Sequence, residues 1–71
     1  MEFQYDQGTH TVLAYDHQRE VGRLTVSASP KIWIIDFLGV KEAYLGQGLD
    51  EDLVAYLLAK ARLAKVKVTA T

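Results

Sequence analysis

The 71-residue sequence contains no cysteine, which excludes a disulfide framework, a thiol nucleophile and a cysteine-ligated metal. Its stability must therefore come from packing. Charge of one sign is also missing: 8 basic and 9 acidic residues leave a net charge of −1, so nothing draws the chain as a whole to nucleic acid or to an anionic membrane. No apolar run approaches membrane-spanning length, and the opening MEFQYDQG has no basic segment followed by an apolar one. A cytoplasmic protein is the expectation. The two histidines, His10 and His17, have no spacing that suggests a metal site or a catalytic pair, so no metal is predicted. No internal repeat, low-complexity tract or linker is visible.

What is present describes a globular chain. With 49% hydrophobic and 24% charged residues it belongs among folded proteins, and its length suits one small domain over residues 1–71 whose core is marginal unless well packed or completed by a partner chain. Glu2 to Asp6 alternates, with Phe3 and Tyr5 on one face, and Asp6-Gln7-Gly8 signals a turn. His10 to Tyr15 reads as a second strand and Glu20–Ala28 as a third, joined by the polar residues 16–19. Ser29-Pro30 ends the third strand, because proline cannot donate to a ladder. Lys31 to Val40 is so rich in β-branched and aromatic residues that it reads as the centre of the sheet, buried on both faces, with Trp33 in the core.

Gly46 and Gly48 flank Gln47 in the loop that follows, where the backbone can turn sharply or approach a ligand closely. From Gly48 onward Leu49, Leu53, Val54, Tyr56, Leu57, Leu58, Ala61 and Leu63 recur at helical spacing and predict a helix packed on the sheet. Asp50, Glu51 and Asp52 at its start and Lys60, Arg62 and Lys65 towards its end match the helix dipole, and the basic group, with Lys67, reads as a solvated face. Val66–Thr69 alternates and would return parallel to the fourth strand. The fold class is therefore α+β in the order β-β-β-β-α-β: a mainly antiparallel sheet, one packed helix and a final parallel strand. One helix covers one sheet face. The other, carrying some of Phe3, Tyr5, Val12, Tyr15 and Trp33, would be exposed and would favour a homo-oligomer or a missing segment.

The segment IWIIDFLGVKEAYLGQGLDEDLVAYLLAKARLAKVKV resembles the core of the GNAT superfamily of N-acetyltransferases, in particular its very small members. In that superfamily an Arg or Gln, two residues of any kind, Gly, one more residue and then Gly or Ala hold the pyrophosphate of acetyl-CoA at a helix N-terminus. The matching positions here are Leu45, Gly48 and Asp50, of which only Gly48 agrees, while Gly46-Gln47-Gly48 keeps the wording of the loop. The small members' His-Thr pair falls on Phe37-Leu38, and their Cys after the last strand has no counterpart before Thr71. Leu45 removes a donor to phosphate, and the three acids oppose one: like charges roughly 5 Å apart repel by on the order of 1 kcal/mol or more at intermediate dielectric. Decay of a natural site and redesign of a family scaffold both account for the departures.

The resemblance implies that the backbone of Leu38 and Val40 would bond the pantetheine arm and that Gly46, Gln47 and Gly48 would hold the phosphates. Gly39 would mark a bulge beside this site or end the strand. Asp36, if buried, could accept a proton from an incoming amine; otherwise it points to solvent or bonds the backbone. Tyr44 could protonate a leaving thiolate or serve in packing. Two functions follow: transfer of acetyl from acetyl-CoA to an amine, or a non-catalytic or engineered scaffold of the same fold that has lost CoA binding and self-associates.

Overall fold

In the computed structural model, which describes residues 1–70, the elements follow the expected order. Strands β1 (Glu2–Asp6), β2 (Thr11–Asp16), β3 (Arg19–Ala28) and β4 (Ile32–Val40) form an antiparallel meander. A short 3-10 turn (Glu42–Tyr44) leads to helix α1 (Leu49–Ala64), and β5 (Lys67–Ala70) pairs parallel to β4. Thr71 lies outside the described residues. The sheet order is β1-β2-β3-β4-β5, so β3 and not β4 is its centre.

Helix α1 lies on one face and builds a single core there. Val12, Ala14, Leu24, Val26 and Trp33 meet Leu49, Leu53, Leu57 and Ala61 from the helix. Those four helical positions are spaced by four, which aligns them along one stripe. The stripe is narrower than the sequence suggested, since Leu58 is 45% and Leu63 80% exposed. Trp33 is in the core as expected, but β4 is not buried on both faces: Ile32, Phe37 and Leu38 are all exposed. A single helix has too little width to cover both sides. Phe3, Tyr5, Val12 and Trp33 also belong to the helix side rather than the uncovered one, with Phe3 stacked on Tyr56 and Tyr5 on Trp33.

The register explains how β4 changes character along its length. Thr25 pairs with Phe37 but Val26 pairs with Ile35, so Asp36 is an extra residue. This is the bulge, and it lies at Asp36 instead of Gly39. Before it Trp33 and Ile35 face the core; after it Leu38 borders α1 beside Val54 and Leu58, and Val40 packs on the core. Gly39 neither bulges nor ends the strand. It pairs with Arg23, and the Phe37 ring occupies the space where a side chain would begin, its Cζ 2.6 Å from that point.

Lys65 ends α1 in the left-handed conformation (φ 59°, ψ 43°), while the Val66 amide bonds the carbonyl of Ala61. A residue with a Cβ is strained there, and glycine is the usual occupant. Lys65→Gly is therefore expected to stabilise the protein by about 0.5–1 kcal/mol, read as a higher urea midpoint at unchanged slope.

Candidate functional site

The chain from Val40 to Leu49 brings the start of α1 beside the far half of β4. Lys41 anchors the near end through its amide to Val21 O (2.8 Å), and the 3-10 turn reverses the direction. Gly46 (φ 76°) and Gly48 (φ 81°) both require the left-handed region that glycine enters freely. Gly48 is the residue before α1, and no side chain caps the helix there. The first amides of a helix have no partner within it, so their partial positive charge faces the loop.

A cavity of about 170 Å³ lies between these elements, lined by Leu38, Val40, Tyr44, Leu45, Gly46 and Asp50. Of the predicted site residues, Leu38, Val40 and Gly46 come together there. Gln47 and Gly48 adjoin it without lining it, and the Gln47 amide donates to Ala43 O (3.1 Å). A shallower groove of about 280 Å³ continues from Leu38 and Asp50 along α1 to Leu58. Beside the cavity, the described β4–β5 pairing ends at Ile35 and Ala70, immediately before the Asp36 bulge.

The side chains answer the sequence-based expectations unevenly. Asp36 is exposed and accepts a hydrogen bond from Ser27 Oγ, which removes the buried proton acceptor. Tyr44 donates its hydroxyl proton to Asp16 Oδ2 and also packs at the rim of the core. That bond, then burial and then the negative charge of Asp16, raise the Tyr44 pKa above its ordinary 10.0, while Arg19 lowers it. A tyrosine held in this way is a poorer proton donor to a thiolate. Leu45 is 63% exposed at the mouth, and Asp50, Glu51 and Asp52 are exposed on the first turn of α1.

Sequence reasoning missed a second group at the opposite end of α1. His10 adopts φ 50°, bonds the Tyr5 hydroxyl through Nδ1 (2.8 Å) and lies against Trp33, with ring centroids 5.7 Å apart. Lys60 Nζ lies over the rings of Tyr56 (5.4 Å) and Tyr5 (6.0 Å), so it is partly drawn onto the protein instead of being only a solvated charge. Tyr5, His10, Trp33 and Lys60 border an open groove of about 1250 Å³. The alternation of Phe3 and Tyr5 and the four-residue spacing of Tyr56 and Lys60 were its only sequence signals. Among the described residues no group of three or more His, Cys, Asp or Glu could hold a metal ion, and no helix is long and apolar enough to cross a membrane.

No protein-family model and no curated protein sequence matches the chain. Solved structures do. A ribosomal-protein-alanine N-acetyltransferase from Brucella melitensis biovar Abortus 2308 superposes with a TM-score of 0.81 at 19% identity, over 93% of this chain and 53% of its own. The fold is GNAT-like. An acetyltransferase of Trypanosoma brucei matches this GNAT-like fold with a TM-score of 0.76 at 24% identity, over 90% of this chain and 52% of its own. An aminoglycoside 6'-N-acetyltransferase complexed with coenzyme A gives 0.72 at 20% identity, over 83% of this chain and 34% of its own. The chain thus spans about half the length, or less, of these GNAT-like structures.

Proposed function

We propose that residues 1–71 form a single GNAT-like domain acting as an N-acetyltransferase, with acetyl-CoA as donor and an amine as acceptor. The observation that carries this reading is the joint placement of the half of β4 beyond its described pairing with β5, the glycine loop and the uncapped start of α1 around one cavity. A structural neighbour with the same fold was solved as a coenzyme A complex, which supports the choice of cofactor.

The fit of the cofactor divides by chemistry. The backbone suits it: Leu38 and Val40 are strand residues with room beside them, and Gly46 and Gly48 leave open space where side chains would stand. The side chains do not supply positive charge, because Leu45 is apolar and Asp50 brings a carboxylate to the same cavity. Leu38, Val40, Gly46, Gln47 and Gly48 would hold the cofactor, whose thioester supplies an activated acetyl group. The chain itself contributes alignment, and proximity alone lowers such a barrier substantially. No side chain is assigned as a catalytic acid or base.

Calorimetric titration with acetyl-CoA at low salt tests this reading. Saturable binding at micromolar concentration is expected, and no heat up to millimolar cofactor overturns it. Leu45→Arg combined with Asp50→Gly adds a cation and removes an anion, so affinity should rise about tenfold or more.

Leu45 and Asp50 also favour a second reading, a non-catalytic or engineered scaffold that keeps the fold without binding CoA. Its function would be self-association through the helix-free sheet face, where Phe37 is 54% exposed. Light scattering showing a dimer in a sample that gives no heat with acetyl-CoA would select it.

A further inference from the structure

We propose that Asp16 is a positioning residue: through its hydrogen bond with Tyr44 it holds the Gly46–Gly48 loop against the far half of β4. The consequence for cofactor affinity rests on the acetyl-CoA reading above, whereas the holding itself does not.

The argument starts from where the loop's hydrogen bonds go. Within it, the Tyr44 amide bonds Lys41 O (2.8 Å), the Leu45 amide bonds Glu42 O (3.2 Å) and the Gln47 side chain bonds Ala43 O (3.1 Å). The last two are internal and can move with the loop as one body; the first reaches Lys41, itself held by Val21 O, and so fixes the start of the loop and not Gly46–Gly48. The Asp52 amide on Gly48 O (3.0 Å) belongs to the first turn of α1. Among the described residues, the bond from Tyr44 Oη to Asp16 Oδ2 is the one side-chain hydrogen bond that ties residues 42–48 directly to a strand of the sheet. Packing adds little beyond Tyr44 itself, since the 3-10 turn buries no residue and Leu45, Gly46 and Gln47 are exposed.

The anchor at the other end is a tight hairpin. Asp16 closes β2 and pairs with Arg19 across a two-residue turn, His17-Gln18, in which both residues have positive φ (51° and 67°). Such a turn matches the twist of its flanking strands and fixes their register. Tyr44 in turn lines the cavity with Leu38, Val40, Leu45, Gly46 and Asp50, so a shift of its ring changes the cavity directly. The bond therefore connects this hairpin to the wall of the candidate site, across 28 residues of sequence.

The charged groups around it set the pH range of the device. Asp16 Oδ1 lies 3.5 Å from His17 Nε2, Arg19 acts on Tyr44 from the hairpin, and Asp50 faces the same cavity from α1. Because the pKa of Tyr44 is raised, the hold is complete at neutral pH and is lost only as pH rises through that raised value, above 10.0. A tyrosinate would then confront the Asp16 carboxylate.

Backbone 15N relaxation of Gly46, Gln47 and Gly48 tests the proposal without any ligand. In the wild type the order parameters should be near 0.85, and in Asp16→Ala and Tyr44→Phe they should fall below about 0.6. Asp16→Asn keeps a carbonyl acceptor and should retain rigid values. Unchanged values in Asp16→Ala and Tyr44→Phe overturn the proposal, as does an equal fall throughout α1 and β4. Acetyl-CoA titration of the same variants forms a separate arm: weaker binding in Asp16→Ala with rescue by Asp16→Asn is expected. If the wild type binds no acetyl-CoA, the relaxation result still decides whether Asp16 holds the loop.

Discussion

Leu53→Ala is expected to leave most of the protein unfolded at 25 °C. Leu53 is fully buried in the second turn of α1, where it shares the core with Leu24 and Val12 and lies against the backbone of Gly22. Removing a buried leucine side chain to alanine costs about 2–5 kcal/mol, because transfer energy is lost and a cavity remains. A core of this size rarely supplies more than about 3–5 kcal/mol in total. The higher helix propensity of alanine returns only a few tenths of a kcal/mol against this loss. Urea titration followed by circular dichroism should show a transition displaced to very low denaturant or missing its folded baseline. The control is Leu63→Ala on the same helix: Leu63 is 80% exposed, and its change should stay within about 0.5 kcal/mol. If both variants unfold alike, the packing face of α1 has been misassigned.

Gly22→Val should have the second-largest effect, for the opposite reason. A Cβ on Gly22 would stand 3.0 Å from Leu53 Cδ1 and 3.4 Å from Leu49 Cδ2, so the first two turns of α1 rest almost on the β3 backbone. Alanine asks only that the tip of Leu53 give by a few tenths of an ångström. Valine adds two further carbons that cannot be accommodated in that way, and overpacking of this kind costs about 1–3 kcal/mol. The helix must lift or rotate, and the loop leading into it must follow. Thermal unfolding should show a fall of several degrees for Gly22→Val and a much smaller change for Gly22→Ala. Equal effects would place the cost in the backbone of β3 rather than in its contact with α1.

The strengths and failures of the sequence reading have physical causes. Strand composition identified β4 to within a residue, and the spacing of Leu49, Leu53, Leu57 and Ala61 marked the face of α1. Alternation alone, however, places Trp33, Ile35 and Phe37 on one side. The extra residue at Asp36 breaks that parity, exposes Phe37 and returns Leu38 and Val40 to the helix side. A bulge of this type needs no special residue, so nothing in the sequence marks it. Gly46 and Gly48 were legible because few residues other than glycine tolerate their backbone angles. The link from Asp16 to Tyr44 was not, since two polar side chains 28 positions apart carry no periodic or local signal of their meeting.

The order of the strands in the sheet repeats their order in the chain. Each antiparallel pairing closes over a short connection, residues 7–10, 17–18 and 29–31, whereas β5 must wait for residues 41–66 to be laid across the sheet. Closure entropy grows with loop length, and non-local contacts reward it late. The meander can therefore assemble hairpin by hairpin, while β5 docks last, after α1 has found its stripe. The same hierarchy runs in reverse during partial opening: β5, an edge strand whose described pairing with β4 stops at Ile35, is the first to leave, and the meander outlasts it.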